Sequence, residues 1–251
     1  MMNSANTISK KTKLFGFIGE HAGVSRFSAV INKMFKANSD DVMMIPMNIR
    51  EDDLYFTLSN MKKSEVSGAV ISNEYVQEIL DLLDEASSLV KKTGMCDIVF
   101  REVECLRGDI FSIRVLVEHL KDLRVSKIAM IGTSSHAKAF SYLSCGFDIS
   151  YFDENLENLM NFTKELEIKD ADINRITSQM NLDLAEYDAL LDFSIFDSLS
   201  MIEKLPKESF DMKNTKEFSA LKKRAKELDA SYTSYDDMIE KLASQVYKTI
   251  K

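Results

Sequence analysis

A turn made of one glycine and several hydroxyl residues follows an apolar stretch near the middle of the chain. The turn, Gly132 to Ser135 (GTSS), comes directly after the apolar run from Lys127 to Ile131. A strand, a glycine turn and a helix in this order bring backbone N–H groups up to a pyrophosphate. Gly132, Ser134 and Ser135 are therefore candidate cofactor-binding residues, although capping of the following helix explains the two serines equally well.

An acidic residue ends the next apolar run, about twenty residues after the turn. Asp153 stands where a carboxylate holds the ribose hydroxyls of NAD and repels the additional phosphate of NADP. The alternative is a simple helix cap. Because neither Arg nor Lys occurs between Ser150 and Asn155, no basic clamp for the NADP phosphate is expected there.

The elements that must position these residues alternate between strand and helix. Apolar runs predict strands at 14–19, 43–49, 67–72, 98–104, 127–132, 148–152, 173–176 and 189–193. Helical spacing predicts helices at 28–36, 51–62, 74–92, 112–123, 155–166, 215–229 and 235–250. This alternation indicates an α/β fold with crossover connections, arranged as two lobes.

Composition narrows the function classes. The chain has 40 acidic and 32 basic residues, a formal charge of −8, which disfavours nucleic acid and anionic membranes as partners. The start lacks the apolar stretch of a secretory signal. Three cysteines without CxxC spacing predict buried thiols of a cytoplasmic protein and no metal site.

Several motifs together resemble the shikimate/quinate dehydrogenase family, from about Leu14 to Ile250. FGFIGEHAGVSRFSAVINKMF is similar to the family's first strand and serine-bearing substrate loop, and VSGAVISNEYVQEILDLLDEAS to the segment around G-x-N-V-T-x-P-x-K. KIAMIGTSSHAKAF is similar to V-L-V-L-G-A-G-G-A-A-R-A without its second and third glycines. The resemblance implies five candidate substrate-pocket residues: Ser25, Ser28, Ser72, Asp97 and Ser112.

The resemblance also implies a domain organisation. A flexible tail over 1–13 would precede a substrate-binding-type domain over 14–110 and a Rossmann-like domain over 111–235. The last helix, 236–251, would pack back against the first domain. The resemblance implies NADP or NAD as the cofactor. The missing glycines of the turn and the missing basic clamp argue against binding of this cofactor.

The family's two catalytic positions carry residues that cannot perform its proton chemistry. In the family, a lysine and an aspartate flank the substrate hydroxyl and assist proton transfer, which needs titratable groups within hydrogen-bond reach. The corresponding residues are Val76 and Ser112, and no lysine occurs between Lys63 and Lys91. No residue is therefore assigned as catalytic.

Three functions remain open from the sequence. The first is a ligand-binding relative without normal NADP-dependent shikimate oxidoreductase activity, with a small polar ligand in the cleft between the lobes. The second is an enzyme for another small hydroxy acid, with Asp97, His21 or His136 doing acid–base work. The third is an active NAD(P)-dependent shikimate oxidoreductase. The sequence leaves the true ligand and the oligomeric state open.

Overall fold

A computed structural model describes residues 11–214 and 217–251. Most of the predicted tail, and Thr215 at the start of one predicted helix, lie outside the described residues. The strands are β1 (Lys13–Gly19), β2 (Val42–Asn48), β3 (Val66–Ile71), β4 (Glu85–Ala86), β5 (Ile98–Glu102), β6 (Cys105–Asp109), β7 (Lys127–Ile131), β8 (Asp148–Asp153), β9 (Asp172–Arg175), β10 (Leu182–Asp183), β11 (Ala189–Asp192), β12 (Ile202–Lys204) and β13 (Glu208–Asp211). The helices are α1 (Phe27–Ala37), α2 (Glu51–Met61), α3 (Ser88–Thr93), α4 (Ser112–Asp122), α5 (Ser135–Leu143), α6 (Leu156–Glu165), α7 (Ala220–Glu227) and α8 (Ile239–Ile250).

The chain has a mixed α/β fold that divides into two compact units. One comprises the described residues up to Val90, Cys96–Phe111 and Ile239–Lys251. The other comprises Lys91–Met95 and Ser112–Met238.

The first unit is built on a six-stranded mixed sheet in the order β2-β1-β3-β5-β6-β4. Strand β1 pairs in parallel with β2 and β3, whereas β5 is antiparallel to β3 and β6. Helix α1 buries Phe27, Ile31 and Phe35 at successive i, i+4 positions, which is the apolar stripe of an amphipathic helix. The last helix, α8, packs on α1 through a ring contact between Phe35 and Tyr247 with centroids 5.5 Å apart.

The second unit is built on a five-stranded parallel sheet in the order β13-β11-β7-β8-β9. Counted along the unit, this is the 3-2-1-4-5 order of a Rossmann-like sheet, with the order reversing between β7 and β11. The reversal opens a crevice at the carboxyl ends of these two strands, where ligands bind in such sheets. The expected Rossmann-like fold is confirmed.

The prediction of one helix over 74–92 is wrong. The segment instead contains two short 3-10 helices, at Asn73–Tyr75 and Leu80–Leu82, followed by β4 and α3. Strand β4 pairs in parallel with β6, and the Asp84 carboxylate accepts a hydrogen bond from the Leu106 N–H at 2.8 Å. Pairing with β6 therefore overrides the helical apolar spacing of the segment.

Candidate functional site

The carboxyl ends of β1 and β3 carry a polar cluster in the first unit. The Ser72 hydroxyl donates to Glu74 Oε2 at 2.5 Å, and Glu74 Oε1 accepts the Glu20 N–H at 2.9 Å. A Cβ on Gly19 would lie 2.7 Å from Ser72 Cβ, so only glycine allows this close approach. The Ser72 hydroxyl is thus already committed to a carboxylate of its own loop.

Asp97 lies next to this cluster at the start of β5. Its backbone carbonyl accepts the Ile71 N–H at 2.9 Å, one residue before Ser72. Its side chain is 2% exposed, and its Oδ1 accepts the Phe111 N–H at 2.7 Å. Asp97 therefore ties together two chain segments of the first unit, which is a structural duty that the sequence did not reveal.

The remaining serines of the predicted pocket take different positions. Ser25 Oγ accepts the Phe27 N–H at 3.2 Å and so supports the start of α1. Ser28 is buried, and its hydroxyl has no hydrogen-bond partner among the described residues. Ser112 is the buried first residue of α4 and belongs to the second unit.

Val76 is a buried residue of the first unit, two positions after Glu74. Its side chain is 2% exposed, and its backbone carbonyl accepts the Cys96 N–H at 2.8 Å. The neighbouring Tyr75 donates its hydroxyl to the Ile49 carbonyl at 2.8 Å, and burial together with nearby carboxylates raises the pKa of this tyrosine. The position that the resemblance gives to a catalytic lysine is thus an apolar core position here.

A cavity of about 690 Å³ lies at the crevice of the second unit. Three carboxylates, six hydroxyls and two amides line it together with four apolar side chains and one glycine: Asp153, Glu154, Asp197; Thr133, Ser134, Ser178, Ser194, Ser198, Ser200; Asn155, Asn158; Phe193, Ile195, Phe196, Met201; and Gly132. The predicted residues Gly132, Ser134 and Asp153 thus meet in one cavity, whereas Ser135 is not among its lining residues. The serines after β11 were missed, although a strand followed by SIFDSLS at the switch point of such a sheet could have indicated them.

Gly132 forms the tight turn after β7. Its φ is +95°, and a Cβ there would lie 2.7 Å from the backbone nitrogen of Ser194, so glycine is required on both grounds. Ala137, fully buried in α5, occupies the third small-residue place of the G-x-G-x-x-G/A spacing, where it permits close helix packing. The second glycine of that spacing, whose place lets the backbone approach a pyrophosphate, is replaced by Ser134, which is the N-cap of α5.

Asp153 lies at the end of β8 with one carboxylate oxygen in a local bond. Its Oδ1 accepts the Asn155 N–H at 2.9 Å, and Asn155 in turn caps α6. Arg175, in register with Asp153 on β9, donates from Nε to the Glu154 carbonyl at 3.1 Å. On α5, Lys138 pairs with Glu165 at 2.7 Å. These two cations thus have partners of their own, and neither is among the residues that line the cavity.

The residues that line the cavity do not fit a dinucleotide phosphate. A pyrophosphate needs close backbone approach at a helix N-terminus, but Ser134 stands at the place of the glycine that permits this approach, and three carboxylates and no Lys or Arg occur among the lining residues that the structure describes. The additional phosphate of NADP would fit still less, since Asp153 stands at its expected position.

His136, on α5, is a poor candidate for acid–base work. Its ring stacks on Phe193 with centroids 6.4 Å apart, and its Nε2 is buried without a partner among the described residues. Burial lowers the pKa of His136 to about 4, so the ring is neutral near neutral pH. His21, by contrast, lies exposed before a short 3-10 helix.

The cysteine prediction is correct only in part. All three thiols are free, but only Cys96 is buried, whereas Cys105 is half-buried and Cys145 is exposed. Within the described residues no group of three or more His, Cys, Asp or Glu side chains is placed to hold a metal ion. No helix of the described part is long and apolar enough to cross a membrane.

Fold and site define a two-unit α/β protein with a mixed-sheet first unit and a Rossmann-like second unit. No protein-family model matches the chain. It is 26% identical over 174 residues to a shikimate dehydrogenase (NADP(+)) of Dictyoglomus thermophilum, covering 64% of this chain and 63% of that one. Its 27% identity to the Dictyoglomus turgidum enzyme of the same name covers 57% and 54%. The matched segment thus spans about three fifths or less of these relatives.

Solved structures share nearly the whole fold. A shikimate 5-dehydrogenase from Listeria monocytogenes, solved with shikimate and NAD, superposes with a TM-score of 0.72 at 16% identity, covering 97% of this chain and 93% of that one. A 5-ketofructose reductase of Gluconobacter superposes with a TM-score of 0.71 at 14% identity, covering 97% and 100%. The chain is thus similar in sequence to shikimate dehydrogenases and shares the fold of solved shikimate dehydrogenase structures.

Proposed function

We propose that this protein binds a small polar ligand at the polar cluster of its first unit and does not carry out ordinary NADP-dependent oxidation of shikimate. The observation that carries the proposal is the burial of Val76 at the lysine position. Oxidation of a hydroxyl needs a group that accepts its proton, and a valine side chain has none. Ser112, at the aspartate position, offers a hydroxyl that is no useful base at neutral pH.

The charge of the cluster favours a neutral or cationic polyhydroxy ligand. The Ser72 hydroxyl donates to the Glu74 carboxylate, so it is not free to donate to a ligand. A ligand carboxylate such as that of shikimate would therefore face the Glu74 carboxylate instead of a free serine donor. Polyol hydroxyls can donate to the same carboxylate. The predicted position of the ligand, in a cleft between the lobes, stays a prediction.

Calorimetric titration of myo-inositol and of shikimate into the protein tests the ligand class. We expect the neutral polyol to bind more tightly than shikimate, and Glu74→Gln to narrow that difference by removing a charge. Ser64→Ala is the matched control. Ser64 lies just before β3, whereas Ser72 lies just after it, and the Ser64 hydroxyl likewise forms its hydrogen bonds with nearby residues of the chain. Ser72→Ala should weaken polyol binding and Ser64→Ala should not. Tighter binding of shikimate, or no polyol binding, would refute the proposed ligand class.

A further inference from the structure

We infer that the cavity of the second unit binds an unphosphorylated nucleoside rather than a dinucleotide. This inference concerns the second unit alone and stands independently of the ligand proposed for the first. The cavity volume of about 690 Å³ lies within the usual range for small-molecule sites, roughly 300–1,000 Å³. Its size thus accommodates a nucleoside, and its lining decides which chemical groups the ligand carries.

The charges of the lining disfavour phosphate. Asp153, Glu154 and Asp197 are three acidic side chains, and the lining residues include no Lys or Arg. A phosphate monoester adds about two further negative charges near neutral pH. Like charges that lie close together at a protein surface repel each other. Each phosphate group therefore opposes binding.

The turn after β7 keeps the backbone geometry of a Rossmann turn but lacks the glycine that lets a pyrophosphate approach. Gly132 and Ala137 retain the tight turn and the close packing of α5, but Ser134 fills the place of the glycine that admits a pyrophosphate. The Ser134 hydroxyl accepts the Ala137 N–H at 3.5 Å, so it satisfies one of the helix donors that would otherwise meet an anion. One donor of the helix end is thus taken by the helix's own cap residue.

The rest of the lining matches a ribose and a base. Asp153 lies at the end of the second strand of the sheet, where a carboxylate accepts the vicinal hydroxyls of a ribose. Phe193, Ile195 and Phe196 supply an apolar surface of the kind on which a base packs. Hydroxyl and amide groups around them can satisfy the polar edge of that base.

Isothermal titration calorimetry with adenosine, AMP, ADP and NAD tests this inference on the full chain. We expect adenosine to bind most tightly, with AMP at least tenfold weaker and ADP and NAD weaker again. Salt should narrow the gap between adenosine and AMP, since it screens charges at an open site. The substitution Asp197→Asn should also narrow the difference in affinity between adenosine and AMP. The control is Glu203→Gln, which should leave that difference unchanged, because Glu203 is an exposed residue of β12 that does not line the cavity.

Deoxyadenosine separates ribose recognition from recognition of the base. We expect 2′-deoxyadenosine to bind about tenfold more weakly than adenosine to the natural protein, and Asp153→Asn to reduce that ratio. Binding of NAD or NADP as tight as that of adenosine would overturn the inference. Absence of adenosine binding at millimolar concentration would also overturn it. Polyol binding at the first unit is unaffected by either result, so the two proposals fail separately.

Discussion

Two buried carboxylates lie side by side at the ends of β11 and β13. Asp192 and Asp211 are directly paired in register, and both are 1% exposed. Asp211 is satisfied by the hydroxyls of Ser219 and Tyr232, at 2.5 and 2.8 Å. Asp192 Oδ1 accepts the Ser194 N–H and hydroxyl, but its Oδ2 has no partner among the described residues. Burial raises the pKa of Asp192, and the neighbouring Asp211 adds to that rise.

We expect Asp192→Asn to stabilise the protein at pH 7, because the neutral amide removes a buried charge whose Oδ2 has no hydrogen-bond partner among the described residues. A raised folded-state pKa of an acid contributes stability below its ordinary value, and that contribution is lost as the pH rises through the folded pKa. The gain should therefore shrink towards pH 4. Urea unfolding at pH 4 and 7 measures it. The control is Asp183→Asn, an exposed carboxylate paired with Lys204, which should give no gain. A less stable Asp192→Asn at pH 7 would contradict the assignment.

The contribution of His136 to stability changes with pH in the opposite direction to that of Asp192. Burial lowers its pKa to about 4 from an ordinary value of 6.5. The stability that it contributes is complete above the ordinary value and is lost as the pH falls from 6.5 towards 4. We expect NMR titration of the imidazole to show a midpoint near pH 4. A midpoint at pH 6 or above would show that the ring is solvated and available for proton transfer.

At the scale of elements, the turn between β7 and α5 lies against the segment that follows β11. Gly132 has φ +95°, and a Cβ there would meet the backbone of Phe193 and Ser194, whereas Gly146 has φ +99° and open space around it. The two glycines thus share a backbone conformation and differ in the room for a side chain.

We expect Gly132→Ala to cost about 2 kcal/mol more than Gly146→Ala, because only the first adds overpacking to the strain of a positive φ. Chemical denaturation of both variants measures the difference. Gly132→Ala should also abolish adenosine binding, since the ends of β7 and β11 must separate. Equal costs for the two substitutions would show that the close approach at Gly132 is not structurally important.

The sequence predicted most of the elements that hold the site, but not those set by distant partners. The strands at β1, β7 and β8 and the helices α1, α2 and α4 followed from apolar spacing. The segment 74–92 did not, because hydrogen bonds to β6 replace helical ones there. Strands β6 and β13 were also missed. Each is five residues or fewer and is stabilised by pairing with neighbours far along the chain or across a hairpin.

The candidate site was predictable only where a backbone rule fixes it. Gly132 and Asp153 meet in one cavity because a parallel sheet brings its carboxyl ends together. The commitment of Ser72 to Glu74, and of Asp97 to the Phe111 N–H, depends on side-chain partners that spacing does not reveal. The same holds for the buried Asp192.

At the scale of the whole molecule, the chain combines the fold of the shikimate dehydrogenases with acidic side chains at both candidate sites. Glu74 lies in the polar cluster of the first unit, and three carboxylates line the cavity of the second, in a chain whose formal charge is −8. Because chemistry depends on particular side chains, the shared fold does not by itself establish the activity.

Reduction of NADP, and separately of NAD, in the presence of shikimate tests the central claim most directly. The absorbance of the reduced cofactor is followed with millimolar shikimate, and the Dictyoglomus thermophilum shikimate dehydrogenase serves as the positive control. We predict no formation of reduced cofactor above the rate without protein, because Val76 and Ser112 supply no proton acceptor. Turnover within the ordinary enzymatic range, on the order of 1–1,000 per second, would contradict the claim and show that other residues perform the proton transfer.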